Sequence, residues 1–114
     1  MFQVTTKDQT FTTDVRVEMI AENGKTKTNV FKAKFRRVNQ SDLDSIHERM
    51  REKTLTDAGV VREILVGWQD VKDENGQELE FNDDNLAALL NVFPVQPTLV
   101  NTFFNSLTNA VRKN

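Results

Sequence analysis

Along residues 13–21 apolar and polar side chains alternate, with Val15, Val17 and Met19 on one side and Asp14, Arg16 and Glu18 on the other. A period of two belongs to a strand with one buried face. Asn23-Gly24 follows, a dipeptide suited to positive φ at both central positions of a type I′ turn. Residues 30–38 then alternate again through Phe31, Ala33 and Phe35, so the pattern predicts a β-hairpin.

Beyond the hairpin the period lengthens. Ser41-Asp42-Leu43-Asp44 reads as a capping-box variant with the Ser41 hydroxyl as cap, opening a helix whose stripe is Leu43, Ile46 and Met50 and which ends near Thr54. Thr56-Asp57 is a second start signal, before Val60, Val61, Ile64 and Leu65. That run predicts a short helix closed by Gly67, with a strand over 60–66 as the alternative. Residues 68–72 read as extended, Asp73-Glu74-Asn75-Gly76 as a turn, and residues 78–81 as a short returning strand. Asn82 is placed to cap a helix with Asp83 and Asp84 in its first turn and Leu86, Leu89 and Leu90 on its buried face. Phe93-Pro94 stops it. Pro97 falls in the opening turn of a last helix reaching about Arg112. The expected fold is α+β: one domain over 1–114, an N-terminal β-hairpin followed by a mainly helical bundle of about four helices with a short central hairpin.

Composition narrows the function classes. The 114 residues include no cysteine, which removes disulfides and thiolate metal sites and suits a reducing compartment. Fifteen basic residues against 17 acidic ones give a net charge of -2, so bulk electrostatics choose no partner. No apolar run approaches the ~20 residues of a membrane span, and the expectation is a chain without membrane insertion. Eight phenylalanines, one tryptophan and no tyrosine point to core and contact surface.

The sequence carries none of the familiar catalytic constellations. The single histidine, His47, has no nucleophile elbow to serve, and His47-Glu48 begins a zinc-protease pattern that fails at Arg51. With Gly76 as the sixth position of a calcium loop, the first and twelfth would be Val71 and Asn82, which lack the carboxylates such a loop needs. The four glycines form no phosphate cradle. The expectation is a binding protein and not an enzyme, with no cofactor and no metal.

Two features point toward partners. Lys25, Lys27, Lys32, Lys34, Arg36 and Arg37 gather on the second hairpin strand, either as a nucleic-acid ribbon or with Lys32, Lys34 and Arg36 as the wet face of a strand whose other face is Phe31, Ala33 and Phe35. The wet face is preferred. On a helix over 95–111, Val95, Leu99, Val100, Phe103, Phe104, Leu107 and Val111 cover an arc of about 180°, wider than the ~100° a helix needs to dock on one core. Leu99, Val100, Phe103, Phe104, Leu107 and Val111 are therefore the expected partner surface.

The order of segments also carries a resemblance. Phe31-Lys32-Ala33-Lys34-Phe35-Arg36-Arg37, a charged helix, Val66-Gly67-Trp68-Gln69-Asp70-Val71, Asp73-Glu74-Asn75-Gly76, Leu79-Glu80-Phe81-Asn82, Asp84-Asn85-Leu86 and Phe93-Pro94 follow one another over 31 to about 110. This order resembles that of the tail assembly chaperones of long-tailed bacteriophages and prophages. The resemblance implies Gly67, Trp68, Gly76, Phe81, Asn82 and Leu86 as fold determinants. It also implies a non-enzymatic, self-associating chaperone of virion assembly in the host cytoplasm. Such a chaperone binds the tape measure protein, keeps it soluble and assists tail tube polymerisation around it; a frameshift-extended form reaches the tail tube protein. A small nucleic-acid-binding regulator using the basic hairpin is the alternative.

Overall fold

The computed structural model describes residues 2–4 and 9–113. Strands β1 (Thr10–Ile20) and β2 (Thr26–Arg36) form the expected hairpin, in unbroken antiparallel register from Thr10 opposite Arg36 to Ile20 opposite Thr26. Their alternation sorts the two faces. Val15, Val17, Phe31, Ala33 and Phe35 are buried, whereas Thr12, Asp14, Arg16, Lys32 and Lys34 are exposed. The turn differs from the expected type I′. Gly24 has φ 81° but Asn23 is not in the positive-φ region. Gly24 N donates to Ala21 O and Ala21 N to Lys25 O, while Asn23 Oδ1 accepts from Lys25 N, so one extra loop residue lets a type I turn end on a single left-handed glycine.

Helix α1 (Gln40–Arg51) begins two residues earlier than expected: Asn39, not Ser41, is the cap, and its side chain accepts from Asp42 N at 2.8 Å. Ser41 instead donates its hydroxyl to Asn39 Oδ1. The helix closes on a left-handed Lys53, φ 62°, with Thr54 N bonded to Arg49 O and Lys53 N to Met50 O. Helix α2 (Asp57–Ile64) is capped by Thr56 as expected but stops short of Gly67. The chain passes directly into strand β3 (Leu65–Gln69), which pairs antiparallel with β2 across Lys32–Phe35. Both readings of 60–66 were thus partly met, and Gly67 is a strand residue opposite Lys34, not a helix terminator. Pairing with β2 decides this, since strand partners are supplied from far along the chain. The resulting sheet is three-stranded in the order β1-β2-β3.

The central turn is the short hairpin expected. Lys72 and Glu78 form a bridge, and Gly76 at φ 77° repeats the hydrogen-bond pattern of the first turn. Trp68 donates its indole N–H to Leu79 O at 2.8 Å and meets the Phe81 ring edge-on at 4.8 Å, which ties this hairpin to β3. Asn82 caps α3 (Asp83–Leu90) by accepting from Asn85 N, and Leu86 and Leu90 are buried. Helix α4 (Val95–Lys113) follows after Phe93-Pro94 and packs against α2, α3 and β1. The fold is α+β: the sheet's inner face and the helices share a single core. No single helix among the described residues is long and apolar enough to cross a membrane; α3 and α4 together reach that composition but meet at 100°.

Candidate protein-binding surface

Helix α4 carries two apolar stripes with different fates. Val95, Leu99, Val100 and Phe103 turn inward and are 5% exposed or less. Phe103 fills the centre, its ring 5.4 Å from Phe35 and 6.3 Å from Phe11. Leu99, Val100 and Phe103 thus leave the expected partner surface: β1 and α2 lie against the face of α4 that carries them, and a side chain closed in by its own protomer meets no guest.

The neighbouring stripe remains. Phe104 and Leu107 are half-buried and Val111 is 75% exposed. With Leu43, His47 and Thr108 they line an open groove between α1 and α4. His47 is exposed, and its ring lies 5.1 Å from that of Phe104, tilted by 30°, so the histidine forms a wall of the groove. On the other side of Leu107 a second depression is lined by Phe11, Arg37, Val38, Ser106, Leu107 and Ala110. One leucine ridge therefore separates two shallow, mostly apolar troughs. Such a surface suits a ridge of side chains from a neighbouring helix.

Another row of α4 side chains bonds back into the helix. Thr98, Thr102 and Ser106 each donate a hydroxyl to the carbonyl four residues earlier, at 2.7–2.8 Å. These three hydroxyls are thereby satisfied within the helix.

One exposed aromatic escapes a helical-wheel reading. Phe93, 84% exposed beside Val92 at the α3–α4 elbow, was legible only as a helix stop, because the wheel begins after Pro94. Exposed Ile20 at the hairpin tip is a second case.

The basic strand does not form a uniform cationic ribbon. Lys32 donates to Asp14 at 3.0 Å, and this hydrogen bond, with the carboxylate's charge, raises the lysine pKa. Arg36 donates its Nε to Glu63 O and Arg37 donates to Gln9 Oε1. Acidic Asp14 and Glu18 stand on the same outer face. A mixed face of this kind lacks the single sign that phosphate tracking requires. The acidic turn is likewise occupied internally: Asp73 Oδ1 accepts from Asn75 N and Gln77 N, and the Glu78 carboxylate accepts from Asp70 N and Val71 N.

Away from the groove, Arg49 and Glu63 clamp α1 to α2 through a two-bond ion pair at 2.6 and 2.7 Å. The hydrogen bonding to Arg49 holds the Glu63 carboxyl below its ordinary pKa, and Glu63 raises that of Arg49.

Compared with family models, curated proteins and solved structures, the chain matches none.

Proposed function

We propose that this protein is a non-enzymatic chaperone of phage tail assembly that holds an apolar helical segment of the tape measure protein in the groove between α1 and α4. One observation carries the reading: Phe104, Leu107 and Val111 keep an apolar strip open on a helix whose inner face is already satisfied. The ordered segments from Phe31 to Pro94 resemble those of that family, which supports the reading, and the groove offers a surface of the right chemistry for a long amphipathic guest. On this reading the protein works in the host cytoplasm, self-associates, and meets the tail tube protein through a frameshift-extended form.

A single copy covers only a short stretch of guest, so coating a long helix takes many weak contacts in series. The test is co-expression with the tape measure protein of the same gene cluster. The wild-type chain keeps the guest in the supernatant. Phe104→Asp with Val111→Asp, which spares the core residue Phe103, is expected to retain the far-UV dichroism of the wild type and let the guest precipitate. A folded double variant that still solubilises the guest refutes the groove; a guest that precipitates even with wild type refutes the function.

A further inference from the structure

The outer edge of β1 is unpaired along its whole length among the described residues. Ala21 N donates to Lys25 O at 2.8 Å and Arg37 N donates to Gln9 O at 2.7 Å, one bond at each end of the unbroken hairpin register. Bonded positions alternate in an antiparallel ladder, so the odd residues of β1 bond to β2 and the even ones send their N–H and C=O outward. Those even residues, Thr10, Thr12, Asp14, Arg16, Glu18 and Ile20, are all exposed. The strand has no proline, lysine or bulge to blunt this open edge, and its charged residues Asp14, Arg16 and Glu18 alternate in sign.

We propose that β1 is a homodimerisation edge, onto which a second copy of this chain adds its own β1, antiparallel about a two-fold axis at Val15. Backbone bonding and the placement of both apolar faces on one side allow only registers that set even residues against even residues. Overlap of all 11 residues puts Asp14 opposite the partner's Arg16 and, by symmetry, Arg16 opposite the partner's Asp14. Moving the axis to Asp14 sets that carboxylate against its own copy. Moving it to Arg16 sets the arginines against each other and Asp14 against the partner's Glu18. An axis at Val17 rescues opposite charges but leaves residues 10–13 without a partner strand. On the inner face the fully overlapped register sets Val15 against Val15 and brings Phe11, itself half-buried, to the partner's Met19. The continuous sheet that results keeps the helices of both copies on one side. Self-association also belongs to the chaperone reading, but this edge and register are read from the sheet alone.

Sedimentation equilibrium on the full chain tests it. Wild type is expected to be a reversible dimer, with amide exchange at Thr12, Asp14, Arg16 and Glu18 slowing as concentration rises. Arg16→Asp and Asp14→Arg each oppose like charges twice and are expected to weaken the dimer at least about tenfold, whereas the double swap returns it to within about threefold of wild type. Thr12→Pro removes one outward N–H without touching a bond to β2 and is expected to give a folded monomer. Phe104→Asp with Val111→Asp leaves the dimer intact, so loss of guest binding and loss of dimer are separable. A wild-type monomer at the highest soluble concentration overturns the proposal. So does association that survives Thr12→Pro, that the charge swap fails to restore, or that disappears only in the groove variant.

Discussion

Phe103 and Phe104 are consecutive on α4, their rings 5.3 Å apart and inclined at 72°, yet they belong to different surfaces. Phe103 is wholly enclosed by the protomer; Phe104 is half open to the groove. Phe103→Ala is expected to destabilise the fold by about 3–5 kcal/mol, as large-to-small changes in a packed aromatic cluster do. Phe104→Ala, with part of its ring already in water, is expected to cost clearly less. Urea denaturation of the two variants checks the ranking, and equal losses would contradict the division of α4 into two stripes.

The expectation that six residues of α4 form one partner surface came from an arc too wide for a single contact. The width is real, but the periodicity of a helix does not say how many elements will share its apolar face. Here β1, α2 and α3 take most of it. The caps Thr56 and Asn82, the turn at Gly76 and the strand alternation were legible because each is decided within a few residues. Strand β3 was only half legible, because its partner Lys32–Phe35 lies a whole helical pair away in sequence. Asn39 displaced Ser41 as a cap, a choice between polar residues two apart that pattern alone leaves close.

Two glycines invite opposite outcomes. Gly76 holds φ 77°, so Gly76→Ala is strained although nothing crowds the new Cβ, and a loss of about 1 kcal/mol is expected. At Gly67 the backbone is strand-like and an added Cβ would sit 3.7 Å from Lys34, an ordinary contact. Gly67→Ala is expected to be neutral or to stabilise by up to about 1 kcal/mol through the unfolded chain. Thermal unfolding distinguishes them; a large loss at Gly67 would restore a special backbone role to that position.

Lys53 ends α1 in the left-handed region, where a side chain costs about 1–2 kcal/mol per residue relative to relaxed backbone. Lys53→Gly keeps both terminal hydrogen bonds and removes that strain, and its melting temperature is expected to rise by a few degrees. A fall in melting temperature would mean that the lysine side chain contributes more than its backbone costs.

The Arg49–Glu63 clamp predicts a pH signature. Because Glu63 is held below its ordinary value when folded, its contribution is present above the unfolded glutamate pKa of about 4.3 and disappears as pH falls through the lowered one. Glu63→Gln is therefore expected to be less stable than wild type near neutrality, with the gap closing in acid. Both side chains are roughly one-third exposed, at 36% and 35%, and solvent screening limits the gap to about 1 kcal/mol. Chemical denaturation at neutral and acidic pH measures it, and a gap that widens in acid would reverse the sign of the linkage.

The hydroxyls of Thr98, Thr102 and Ser106 are each tied to their own helix, and the apolar strip left open on α4 is that of Phe104, Leu107 and Val111. Under the proposed function, a guest would lie along that strip, on one side of α4. A two-fold pair joined through β1 would present two such strips running in opposite directions, so a rod held by the pair would have no preferred end.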